Sequence, residues 1–126
     1  MHKYKFGYIS GGIFAALAVG LGAFGAHGLE SLLAANGRTA TYETAVQYHF
    51  YHALALLIVA IVIKRHDHKF IRWTSYLFAA GIIIFSGSLY ILSLTNITIL
   101  GAITPIGGVC FILGWLFFVV GIAKGK

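Results

Sequence analysis

Acidic side chains are nearly absent from this chain: its 126 residues include three Asp and Glu against nine Lys and Arg, and charged residues of either sign make up 10%. A water-soluble domain is about one quarter charged, so a surface facing water on all sides is excluded and lipid is the indicated solvent. No acidic dyad of plausible catalytic spacing is available. The only cysteine, Cys110, lies inside an apolar run and can form neither an internal disulfide nor a Cys pair for redox or metal work. No Walker sequence or nucleophile elbow occurs, and Ser86-Gly87-Ser88 lacks the strand-turn-helix setting that makes a serine nucleophilic. The chain therefore reads as non-enzymatic. Its net charge of +6 does not imply nucleic-acid binding, because the basic residues sit in a few short hydrophilic breaks, as expected of anchors beside anionic headgroups.

What is abundant is apolar length: 60% of residues are hydrophobic, and four spans are expected at about 7–28, 41–63, 73–94 and 99–123. The first runs from Gly7 to Gly28 without a charged side chain, about 33 Å of helix, which is longer than the apolar core of a cleaved signal. In it Gly11, Ala15, Ala18, Gly22 and Gly25 alternate spacings of four and three, a face that lets another backbone approach closely. Residues 30–36, ESLLAAN, predict a short interfacial helix stopped by Gly37. In the last span Gly107, Gly114 and Gly121 recur every seven residues, with Phe111 and Phe118 between them, a second packing seam. Pro105 falls about two turns into that span and predicts a helix kink.

The polar exception is RTATYETAVQYHFYH at 38–52. Thr41 is expected to cap the second helix, with Glu43 in its first turn. His49 and His52 are three apart and share a face, whereas Glu43 and Gln47 are four apart and share another. Ser86, Ser88, Tyr90 and Thr104 are candidate polar contacts in the later spans. The hydrophilic run KRHDHKFIR at 64–72 places His66 and His68 around Asp67, which reads as a solvated connector rather than a metal site.

Charge asymmetry orients the spans. Lys3, Lys5, Lys64, Arg65, Lys69, Arg72, Lys124 and Lys126 fall on the side of the termini, and only Arg38 falls on the other, which predicts cytoplasmic termini. Short connectors then predict an all-α membrane protein, an up-and-down antiparallel bundle of four transmembrane helices forming one domain over 1–126. In that arrangement His49 and His52 lie about 12 and 16 Å along the second helix from Thr41. With His27 and Glu43 they fall in the outer half, so His27, Glu43, Gln47, His49 and His52 form the candidate polar cluster.

Four blocks carry a resemblance: GAFGAHGL at 22–29, YETAVQYHFYHALALL at 42–57, FSGSLYILSLT at 85–95 and ITPIGGVCFILGW at 103–115. Together they resemble domain-of-unknown-function family 423, small bacterial inner-membrane proteins also catalogued as an uncharacterised family. The resemblance implies a multi-pass inner-membrane protein and supplies no activity or residue roles. The first expectation is a non-enzymatic structural or interaction component that packs through its Gly-rich faces, with lipid and a homo-oligomer or membrane-protein partner around it. A small transporter or channel using the histidines is the second. The third is a haem- or metal-binding protein; no cofactor is assigned.

Overall fold

The computed structural model describes residues 3–125, and every element in it is helical. Lys126, counted above among the inner basic residues, lies outside the described residues. In chain order the elements are α1 (Lys5–His27), α2 (Glu30–Asn36), α3 (Thr39–Arg65), α4 (Lys69–Gly81), a π-helical turn (Ile82–Ser86), α5 (Gly87–Thr95), a 3-10 segment (Thr98–Ala102) and α6 (Thr104–Lys124). Four stretches are long and apolar enough to cross a membrane: Lys5–His27, Thr39–Arg65, Lys69–Thr95 and Thr98–Lys124. At about 1.5 Å per residue each reaches across a hydrocarbon core roughly 30 Å thick.

Local chemistry moves several boundaries away from the expected ones. Gly37 takes the left-handed conformation (φ 68°) that closes α2, and the Tyr42 N–H already donates to the Arg38 carbonyl at 3.0 Å. Helix α3 therefore starts at Thr39, Thr41 is inside it rather than capping it, and Glu43 lies beyond the first turn. The hydrophilic run 64–72 is mostly helical as well. Lys64 and Arg65 end α3, where cations face the negative pole of the helix, and the His68 ring accepts from the Phe70 N–H at 3.1 Å to cap α4. Asp67 accepts from Arg72 and, at 3.2 Å, from Lys3. Burial acts to raise the Asp67 carboxyl, but the hydrogen bonds and positive charges of Arg72 and Lys3 outweigh it and hold the group below its ordinary value.

The expected kink at Pro105 is a break instead. The 3-10 segment ends at Ala102, and Pro105 is the second residue of α6, where the N–H it lacks would have had no helical partner. The third span has its own irregularity, the π turn at Ile82–Ser86, which ends on the first residue of the Ser86-Gly87-Ser88 stretch.

Helix α3 is the hub, packed by α1 along one side and by α4, the π turn and α5 along the other, while α4 also packs on α6. Small residues set these approaches. In α1, Gly7 faces Leu56 and Ala60, Gly11 faces Ala53 and Leu57, Gly22 faces Val46, and Gly25 lies under the Tyr42 ring. In α6, Gly121 meets Ile71, Gly114 meets Phe78, and Gly107 abuts the backbone of Phe85, while Phe111 fills the space over Gly81. Ala18 is buried and Ala15 partly so. Leu56, Val59, Ile71, Phe78 and Phe111 form the main apolar core between these helices.

A Gly107→Val substitution would drive a branched side chain into the Phe85 backbone and should destabilise the protein by about 1–3 kcal/mol. Unfolding in detergent checks this, with Gly12→Ala as the reference, since a side chain at Gly12 meets open space. A Gly107→Val midpoint equal to that of Gly12→Ala would contradict the close approach of α6 to the π turn at Phe85.

Candidate functional site

The polar residues of α3 divide by face. His49 and His52 turn inward and are buried, whereas Glu43 and Gln47 remain exposed. His52 is held by two helices. The Trp115 indole N–H donates to its Nε2 at 3.1 Å, and its Nδ1 lies 2.8 Å from the Tyr48 carbonyl. An indole nitrogen can only donate, so Nε2 is the acceptor and the proton sits on Nδ1, donated to Tyr48. The ring also lies flat on Phe111, with centroids 3.7 Å apart and planes 11° apart. Both nitrogens of a neutral imidazole are thus engaged. A metal could bind His52 only by displacing Trp115.

His49 is enclosed differently. Its Nδ1 is 2.8 Å from the Tyr90 hydroxyl, and the edge of Phe14 from α1 closes one side at 5.9 Å between centroids. Its Nε2 is buried without a hydrogen bond of adequate geometry, although the Phe14 backbone is within electrostatic reach. The Tyr90 ring meets Tyr42 edge-on at 5.3 Å, and the Tyr42 hydroxyl donates to the Leu21 carbonyl of α1 at 2.5 Å. His49, Tyr90 and Tyr42 therefore link α5, α3 and α1.

The remaining candidate contacts also cross between elements. The Ser86 hydroxyl donates to the Ala45 carbonyl at 2.8 Å, and the Ser88 and Thr104 hydroxyls are 2.6 Å apart. In a membrane each such bond contributes roughly 0.6 kcal/mol, but it also fixes the rotation of one helix against its neighbour.

Glu43 and Gln47 line a separate cleft of about 430 Å³ between α1, α2 and α3, together with Glu30, Thr39, Tyr42 and the small residues Gly22, Gly25 and Ala26. His27 is exposed at the end of α1 and does not line it. The five residues read as one polar cluster are thus not gathered: two are core joints, two border an open cleft, and one stands apart. The 100° step per helical residue separates the α3 pairs, and the end of α1 carries His27 away from both. Among the described residues no group of three or more His, Cys, Asp and Glu side chains is placed to hold a metal ion. Trp115 and Tyr42 were not singled out from sequence. Trp115 lies four residues after Phe111, on the same helical face, and an indole N–H in an apolar span needs an acceptor.

The profile of a family described as "Protein of unknown function (DUF423)" matches residues 21–108. The chain belongs to this family. The match covers α3, the whole third span and the break at Pro105, and ends before Phe111 and Trp115, which close on His52. Among relatives, the UPF0382 membrane protein YwdK of Bacillus subtilis (strain 168) is 53% identical over 117 residues, covering 92% of this chain and 94% of the relative. The UPF0382 membrane protein SSP2132 of Staphylococcus saprophyticus is 51% identical over 116 residues, covering 92% and 95%. Neither name carries an activity. No solved structure matches the chain. The DUF423 chain is a multi-pass membrane protein of an uncharacterised family.

Trp115→Phe keeps an aromatic ring, though a smaller one, and removes the donor to His52. Side-chain ¹⁵N spectra of the histidines should show the His52 Nε2 resonance moving in this variant, with a loss of about 0.5–1.5 kcal/mol in stability. Imidazole spectra identical to those of the unsubstituted protein would contradict the assigned tautomer.

Proposed function

We propose that this protein is a non-enzymatic component of the bacterial inner membrane that associates, through the outward face of α1, with a second copy of itself. The observation that carries this reading is a division among its glycines. Those of the α1 seam and of α6 are occupied within the chain, but Gly12 and Gly20 have no atom of the protein within 4 Å of an added Cβ. With Ala16 between them they form an exposed small-xxx-small-xxx-small stripe, the pattern through which membrane helices approach closely. The expected use of Gly11, Ala15, Ala18, Gly22 and Gly25 in external packing is replaced by this neighbouring face, because that seam is already filled by α3.

The interior supports a structural role. His52 is fully hydrogen-bonded, and Ser86, Ser88, Tyr90 and Thr104 all have partners, so these groups serve as joints. Transport through a shared histidine cluster, or haem held by it, loses its basis when His27, His49 and His52 do not converge.

The arrangement proposed for the spans is an up-and-down antiparallel bundle with both termini cytoplasmic. In its support, residue numbers rise along α1 as those of its α3 contacts fall, from Gly7 beside Ala60 to Gly25 under Tyr42. Lys3 bonds to Asp67, and Lys124 borders a hollow with Arg65, His66 and His68, so the basic residues collect at one end. That asymmetry marks the cytoplasmic side.

Replacing Gly12 and Gly20 together by Ile should reduce self-association, read as energy transfer between labelled copies in liposomes, by roughly tenfold while helicity is retained. Unchanged transfer would remove the α1 interface. For topology, a C-terminal fluorescent reporter that folds only in the cytoplasm should be bright, whereas a periplasm-dependent phosphatase fused at the same point should be inactive; the opposite pattern would invert the proposed orientation.

A further inference from the structure

The cleft bordered by Glu30 and Glu43 continues into a second depression, and the two together have the shape and chemistry of one amphiphile. The cleft of about 430 Å³ has Glu30, Thr39, Glu43 and Gln47 as its polar lining. The second depression, about 290 Å³, runs along the α1–α3 seam between Val19, Val46, Phe50 and Tyr51. Gly22, Val46 and Gln47 belong to both, so polar end and apolar groove are continuous. Val19 and Tyr51 are exposed at the groove, which opens sideways where the spans face hydrocarbon.

The charge at the polar end is specific. The chain has three Asp and Glu residues and a net charge of +6, yet neither Glu30 nor Glu43 forms an ion pair or hydrogen bond among the described residues. The third, Asp67, is paired with Lys3 and Arg72 at the other end of α3. A protein with nine basic side chains thus leaves two carboxylates unneutralised, and both border the same cleft. We propose that cleft and groove hold a membrane phospholipid whose headgroup ends in a primary ammonium. The ammonium sits between Glu30 and Glu43, the Gln47 amide and Thr39 hydroxyl supply donors for the phosphate ester, and one acyl chain lies in the groove. An anionic headgroup is repelled from this end. A water-soluble amine would satisfy the carboxylates but leave the groove empty, which is why the site is assigned to a lipid. This site lies on the α3 side of α1 and is separate from the Gly12–Gly20 stripe, so either proposal can fail alone.

The test is native mass spectrometry of the full chain released from mixed lipid micelles. Phosphatidylethanolamine is offered in competition with its N-acetylated form, which has the same chains and phosphate but no ammonium. The ammonium lipid should be retained about three- to thirtyfold better, the range for two partly exposed ion pairs, and the Glu30→Gln/Glu43→Gln variant should lose that preference. Equal retention of the two lipids by the unsubstituted protein overturns the proposal without reference to how the variant folds. So does a preference that survives in the folded double variant. Displacement of the lipid by soluble phosphoethanolamine at comparable concentration overturns the lipid assignment, whereas failure to displace it supports the role of the groove.

Discussion

Between helices in hydrocarbon there is no water to expel, so apolar side chains gain little by turning toward one another rather than toward lipid. Association must come from close contact and from hydrogen bonds that lipid cannot offer. The joints of this protein obey that constraint, and four of them are made to α3. Its Ala45 carbonyl receives Ser86, its His49 meets Tyr90, its His52 receives Trp115, and its Tyr42 reaches back to the Leu21 carbonyl. Each neighbouring span thereby has its rotation fixed against one central helix. The glycines then let the backbones close to the distance these short bonds require.

The two buried histidines are consequently unlike one another. His52 is closed at both nitrogens and flattened against Phe111, so protonation would cost it the Trp115 bond. His49 keeps one nitrogen without a hydrogen bond. The acidic residues follow the reverse logic. Charge is expensive within the spans, and Glu30 and Glu43 stay near helix starts and exposed, where an outside cation can reach them.

Much of the architecture was legible because lipid imposes length and composition. Four apolar stretches, the small-residue periodicity of α1 and α6, and the stop at Gly37 all follow from one-dimensional rules. The separation of Glu43 and Gln47 from His49 and His52 was also readable, since it depends only on helical angle. Convergence across helices was not. Nothing in local spacing tells which face of α6 meets α3, so Trp115 could not be matched to His52, and His27 could not be separated from the other histidines. Boundaries at Thr39, Lys69 and Pro105 were missed for a different reason: they depend on backbone hydrogen bonds and caps, made here by Arg38, His68 and the 3-10 segment, that compete with composition.

The π turn has a consequence for how the third span keeps phase. Ile71, Thr74, Ser75, Phe78 and Gly81 are buried before the turn, Ile82 and Ser86 within it, and Ser88, Leu89, Leu92 and Ser93 after it. The i→i+5 bonding of the π turn takes in one residue more than an α-helical turn, so the faces before and after Ile82–Ser86 are rotated relative to one another. The span behaves as two gears on one shaft. Its first half meshes with both α3 and the Gly114 and Gly121 end of α6, and beyond the turn its second half meshes with α3 through Tyr90.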